Sequence, residues 1–329
     1  MSHLRRKILF VFPGQGSQYR GMGSDLVAEF DSAREVFGVA SEVVGYDMAE
    51  LCFTDPKGQL DFTRFTQPAL LTHQVACLES FRSLLADAPI PPSVTAGHSL
   101  GEYTALLAAG ALGFEDALRL VQRRAELMGE LGRGSMLATT LDLATARGLA
   151  DKHYCGIGGC NLPEQTVIAG EDADLDALTV ELTEKFPKKR TVRLKTEGAF
   201  HTYLMVNAAV RFREVLEEIE FGELDVSVLS NYTGKFHESD PGAIRSRLFF
   251  QLFNPVRWVA CMNTAIDEGI DTIVEFGGGI GKGEGPEEKR PNLEGMVKKA
   301  LKWREHEAEY FSGINAGGLR AAAGQLARD

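Results

Sequence analysis

The 329-residue sequence predicts an α/β fold in two parts, a large subdomain on a mainly parallel sheet and a small βαββαβ unit inserted into it. Three observations predict this. Short β-capable runs alternate with helical periodicities before residue 134 and again after 203, as βα units joined into a parallel sheet require. A Gly-x-Ser-x-Gly turn, Gly97-His98-Ser99-Leu100-Gly101, stands between a β-capable run at 94–96 and an alanine-rich helix at 104–109. Between 134 and 195 the order strand, helix, strand, strand, helix, strand is that of a ferredoxin-like unit. The expected boundaries are 1–133 and 196–329 for the large subdomain and 134–195 for the small one.

Hydrophobic content of 44% supplies a sizeable core, and a net charge of -11 argues against non-specific nucleic-acid binding. The basic start (Arg5, Arg6, Lys7) precedes an apolar run at 8–12 that is too short for a signal peptide and ends in Pro13-Gly14. No apolar stretch approaches the ~20 residues of a membrane helix. Five irregularly spaced cysteines suit a reducing, cytoplasmic setting. His153, Cys155 and Cys160 lack a second ligand cluster, so buried thiols are expected there and no metal.

Residues 7–12 are a β-branched and aromatic run feeding the loop Pro13-Gly14-Gln15-Gly16-Ser17-Gln18. The loop lacks the Gly-Lys-Ser/Thr ending of a phosphate loop and the last glycine of the dinucleotide fingerprint. Its polar groups, Gln15 and Gln18, are therefore the ones expected to meet a ligand at the strand's C-terminal end. Helical spacing covers 22–52 and 67–86, with a polar linker at 61–67 and Pro68 opening the second helix. An amphipathic helix is expected over 113–129. In the small unit, strands fall at 135–140, 154–160, 165–170 and 191–194, and helices at 143–152 and 173–186. The chain returns to the large subdomain through Gly198-Ala199-Phe200-His201-Thr202, followed by helices over 203–219, 244–253 and 258–268. Strands are expected at 226–231 and 272–276, the latter being the last. The glycine run at 277–283 misses phosphate-loop spacing, and the tail beyond 305 should hold short, frayed helical stretches broken by Gly313, Gly317 and Gly318.

The glycines flanking Ser99 permit a strained turn that pushes its hydroxyl outward at a helix N-terminus, where N–H groups favour negative charge. A nucleophilic serine needs a base and oxyanion donors. Among His3, His73, His98, His153, His201, His237 and His306, the neighbour His98 points to the opposite side of an extended strand. His201 lies where a loop can present it to a cleft.

Together with Asn161 before Pro163, and Gln251 ahead of Pro255-Val256-Arg257-Trp258, these motifs resemble the malonyl-CoA:acyl-carrier-protein transacylases of fatty-acid synthesis and polyketide assembly. The resemblance spans about residues 7–276 and implies an α/β-hydrolase-like large subdomain. It implies that Ser99 is the acylated nucleophile and His201 its base and acid. The Gln251 backbone carbonyl would orient the imidazole, and Gln15 with the Leu100 N–H would form the oxyanion hole. Arg124, in preference to Arg123, would grip the malonyl carboxylate, with Met128 one turn further on. Phe200 would crowd methylmalonyl, and His98 and Asn161 would belong to the substrate site. The implied reaction moves malonyl from a CoA thioester to the phosphopantetheine thiol of an acyl carrier protein. No bound cofactor, nucleic acid or membrane is implied, and the enzyme is expected to be a monomer.

Ala125, Gly129, Thr202 and Tyr203 depart from the family pattern, and the 277–283 run with its charged extension replaces the usual Gly-Pro-Gly. These departures favour an assembly-line acyltransferase. Lys188-Lys189-Arg190 and the set Lys298, Lys299, Lys302 and Arg304 are the expected docking patches for an acidic carrier. The alternatives are an acyl hydrolase acting on carrier proteins, which Arg124 argues against, and a transacylase for another acyl unit. A thioesterase or lipase would want an acid and then a late histidine, not an inserted unit. A carrier-binding module without activity has no need of Ser99, His201 and Gln15 together.

Overall fold

Every side chain of Ile8–Phe12 is apolar, and such a strand persists only when both faces are covered. In the computed structural model, which describes residues 6–328, this segment is β1 (Ile8–Phe12) at the centre of a five-stranded sheet. The order is β7 (Ser227–Leu229), β2 (Val94–Gly97), β1, β8 (Thr272–Phe276), β9 (Glu309–Gly313), all parallel. Alternate residues of β1 feed two cores, as the period of a strand requires. Ile8, Phe10 and Phe12 face one that includes α1 (Ser24–Glu29), α2 (Asp31–Val44), α3 (Met48–Phe53), α4 (Thr63–Leu84), α5 (Gly101–Ala108) and α6 (Phe114–Leu131). Leu9 and Val11 face the other, under α11 (Trp258–Asp267) and α12 (Glu294–Trp303). α9 (Val206–Glu218), α10 (Pro241–Gln251) and α13 (Ala316–Leu326) complete the first side.

The second sheet is antiparallel, in the order β4 (Gly156–Leu162), β5 (Gln165–Gly170), β3 (Ser135–Thr139), β6 (Thr191–Arg193). Its apolar residues form a separate core with α7 (Leu143–Lys152) and α8 (Asp172–Lys185), and Cys155 and Cys160 are buried in it. Backbone bonds tie it to the large sheet's side of the chain, Cys160 N–H to the Val256 carbonyl at 2.8 Å and Val256 N–H to the Gly158 carbonyl at 3.1 Å.

Several expectations need correction. The helical stretch at 22–52 is three helices, broken at Phe30, which is extended, and at Gly45, which is left-handed. The polar linker at 61–67 is mostly helix: α4 starts at Thr63 and Pro68 lies inside it, so Pro68 forfeits one backbone hydrogen bond. Its start is set from afar, because the Thr63 N–H donates to the Glu197 carboxylate at 2.5 Å. Residues 203–205 form a 3-10 turn ahead of α9. β8 is not the last strand, and the tail is not a series of frayed turns. β9 pairs along the whole of β8, and α13 runs on through Gly317 and Gly318. The Asn315 carboxamide caps it by accepting from the Gly318 N–H at 2.7 Å, and Leu319, Ala322, Ala323 and Leu326 bury its inner face. His3 and Arg5 lie outside the described residues. Among the described residues no helix is long and apolar enough to cross a membrane.

Candidate active site

The C-terminal ends of β1, β2 and β7 deliver the loop at 13–18, the Ser99 turn and Ser230-Asn231 to one edge of the parallel sheet, where open α/β sheets place their ligands. The turn is tight enough to exclude side chains: a Cβ on Gly97 would lie 1.8 Å from the Gly101 carbonyl carbon, and one on Gly101 2.0 Å from the Phe12 oxygen. Ser99 itself has φ 53°, a left-handed conformation that costs a non-glycine residue about 1–2 kcal/mol. Asn231 holds it there, accepting from the Ser99 N–H at 2.6 Å and donating to the Gly97 carbonyl at 2.7 Å.

A cleft of about 380 Å³ opens between the two sheets, lined by Gln15, His98, Ser99, Asn161, Phe200 and His201 among others. His201 sits at φ 62° in the loop expected to present it. Its Nδ1 lies 2.8 Å from the Gln251 carbonyl, which can only accept, so Nδ1 carries the proton. Nε2 is then the acceptor for the Ser99 hydroxyl, 2.8 Å away. Burial, and next the Arg124 charge, push the His201 pKa down to about 3 against the pull of the Gln251 carbonyl. The imidazole is therefore neutral at ordinary pH and available as a base.

Arg124 is 0% exposed and meets the cleft at the Ser99 hydroxyl. Its guanidinium donates to Gln67 Oε1 at 2.7 Å, Gln251 Oε1 at 3.1 Å and the Ser99 hydroxyl at 3.3 Å, and stacks over Tyr103. Among the described residues it forms no salt bridge, and its Nε has no acceptor. Burial lowers its pKa, yet an arginine keeps its proton in proteins. Arg123 is on the surface, paired with Glu126. Met128 is buried against Gln67, whose Nε2 lies 3.6 Å from its sulfur.

His98 lines the same cleft as Ser99, and its Nε2 donates to Asn161 Oδ1 at 2.9 Å. Phe200 lines the cleft beside His201. The Gln15 side chain, however, donates to Thr63 Oγ1 at 3.2 Å and leaves Oε1 buried without a partner. Among the described residues the Gln15 and Leu100 backbone N–H groups have no acceptor, so the available donor of Gln15 is on its main chain.

Sequence reasoning missed the shell beneath these groups. Glu102 Oε2 accepts from the Asn231 N–H at 3.1 Å and from Gln251 Nε2 at 2.8 Å, and Glu102 Oε1 accepts from His237 Nε2 at 2.7 Å. Gln251 Nε2 also donates to the Ser99 carbonyl at 2.9 Å. Glu102 lies one residue beyond the turn motif, and a carboxylate on the apolar side of a helix was the available signal. Gln67, Asn231 and His237 carried none.

The expected docking patches are unequal. Lys298 pairs with Glu294 at 2.6 Å, and Arg304 donates to Asn263 and Asp267. Lys189 is 3.7 Å from Glu164.

A protein-family model described as an acyl transferase domain matches residues 9–276. The chain is 38% identical over 302 residues to the malonyl CoA-acyl carrier protein transacylase of Bacillus subtilis strain 168, covering 89% of this chain and 90% of that one. It is 38% identical over 275 residues to the polyketide biosynthesis protein ThaF of Burkholderia thailandensis, covering 82% of this chain and 23% of that larger protein. The crystal structure of the malonyl CoA-acyl carrier protein transacylase of Clostridium perfringens superposes with a TM-score of 0.86 at 32% identity, covering 98% of each chain. A malonyl-transacylase in complex with its type II polyketide-synthase acyl carrier protein gives 0.86 at 33% identity, covering 97% of this chain and 99% of that one. With a serine, a neutral imidazole and free N–H donors meeting at the sheet edge, and with these likenesses along nearly its whole length, the chain belongs to the acyl transferase domain family and is an acyltransferase.

Proposed function

We propose that this acyltransferase moves a malonyl group from CoA to the phosphopantetheine thiol of an acyl carrier protein through an acyl-serine intermediate. The observation that carries this reading is Arg124: a buried cation that forms no salt bridge among the described residues, donating to the hydroxyl that is to be acylated. Burying an unpaired charge is costly, and a substrate carboxylate would offset that cost. A planar guanidinium also suits a carboxylate bidentately.

In the first half-reaction Ser99 Oγ attacks the thioester carbonyl while His201 Nε2 takes its proton. The oxyanion develops toward the Leu100 and Gln15 N–H groups. Collapse breaks the C–S bond, and the proton on His201 goes to the departing CoA thiolate. In the second half the carrier thiol gives its proton to His201, attacks the acyl-serine and returns Ser99 to its hydroxyl form. A malonyl carboxylate on Arg124 also neutralises a charge that holds the His201 pKa down, so the right substrate strengthens its own base. In this reading residues 134–195 act as the small subdomain that closes one side of the cleft, with 1–133 and 196–329 as the large one.

Intact-mass measurement after incubation with malonyl-CoA and acetyl-CoA tests the proposal. A malonyl adduct on the wild type that is absent from Ser99→Ala is expected. A stable acetyl adduct without a malonyl one would sink the role of Arg124.

A further inference from the structure

A second recess, of about 510 Å³, borders the catalytic cleft. The two share Gln165, and α12 runs past both: Leu293 and Met296 line the cleft, Lys299, Lys302 and Trp303 the recess. From Met296 to Trp303 the helix advances about 10 Å at its usual rise. Leu162 and Pro163 form the apolar wall, with the Glu164 carboxylate at the rim.

Two features of this recess lack a structural explanation. Trp303 is 66% exposed, although the other tryptophan, Trp258, is fully buried. Lys299 and Lys302 have no ion-pair partner among the described residues, whereas Lys298 and Arg304 on the same helical turns are paired elsewhere. An indole face beside two unpaired ammonium groups is chemistry for an aromatic anion.

The geometry points to this recess as the seat of the adenosine 3′,5′-bisphosphate end of the CoA thioester, with the purine stacked on Trp303 and the phosphates on Lys299 and Lys302. The inference rests on the function proposed above. It follows from continuity: a thioester carbon at Ser99 sends the pantetheine arm out along the cleft, past Met296, and the nucleotide emerges at the lysines. A carrier protein delivers the same arm and phosphate but no purine, so the indole commits the site to the donor.

Adenosine 3′,5′-bisphosphate, which has neither thiol nor acyl group, is the direct probe. It should quench tryptophan fluorescence saturably in the wild type and not in Trp303→Phe. In steady-state loading, Trp303→Ala and the pair Lys299→Glu, Lys302→Glu should raise KM for malonyl-CoA about tenfold at unchanged kcat, the scale of one base–aromatic stack. Loading from malonyl-pantetheine should not change. Absent quenching with unchanged KM in variants of an enzyme that still loads malonyl would overturn the nucleotide site and leave the proposed function standing. Equal losses with both donors, or a loss confined to transfer onto the carrier protein, would overturn it as well. A wild type that loads malonyl from neither donor would refute the proposed function itself.

Discussion

Two buried histidines, His201 and His237, are tied to Gln251, the first through its carbonyl and the second through Glu102. His201 reaches the cleft: its Nε2 meets a serine hydroxyl and its Nδ1 a backbone carbonyl. His237 faces only the core, where its Nε2 meets the Glu102 carboxylate, both side chains being fully buried, and its Nδ1 has no partner. By residue type the His237–Glu102 pair is the better match to a catalytic acid–base couple. Access decides otherwise, because no cleft atom reaches it. Glu102 instead anchors the Gln251 side chain and Asn231, and these hold the Ser99 turn. The carboxylate steadies the site from below and leaves His201 to a neutral partner.

Replacing each histidine in turn should separate the two regions most widely. His201→Ala should cut the acyl-loading rate by about 10³-fold or more with little change in thermal midpoint. His237→Ala should do the reverse, removing the buried donor to Glu102 Oε1 at a cost of about 1–3 kcal/mol in denaturant unfolding. Equal losses of stability would erase the distinction drawn here.

Arg124→Ala removes the cation under Ser99 and should shift preference from malonyl-CoA toward acetyl-CoA by about 100-fold in kcat/KM, the scale of a charge-assisted pair. Competition between the two donors, read by mass, checks it. An unchanged preference would mean that the carboxylate binds elsewhere.

The pH profile sharpens the contrast further. With the His201 pKa lowered to about 3, loading in the free enzyme should be flat over roughly pH 5 to 8 and fall only under strongly acidic conditions. Removing the Arg124 charge removes a cause of that lowering, so the acidic limb of Arg124→Ala should move to higher pH. The sign of the stability linkage is the same: a depressed histidine pKa favours the folded state above the unfolded value, and that contribution is lost as pH falls toward 3. The smallest effect is expected at Phe200, where Phe200→Ala should improve methylmalonyl loading about 10-fold, the scale of one methyl group in a pocket.

Much of this was legible beforehand for local reasons. The Gly97 and Gly101 positions leave no room for a Cβ, so the turn carries its own signature. The strand and helix periods of the small unit survive without their neighbours, and its βαββαβ order appears as expected. Other features depended on distant chain. The start of α4 is set by Glu197, and Gln67 becomes a partner of Arg124 only because α4 packs on α6. The tail looked irregular because three glycines weaken its helical signal, while β8 was free to take another strand on its outer edge.

By itself the sequence determined the alternation of strands and helices, the Ser99 turn and the identity of the residues bearing chemistry, since each depends on backbone sterics or side-chain type within a few positions. Only the tertiary structure decided which histidine is a base, which arginine is buried without a salt bridge among the described residues, and which donor of Gln15 is free. Those properties come from burial and partners, and they arise where segments 48 to 127 residues apart close on one another.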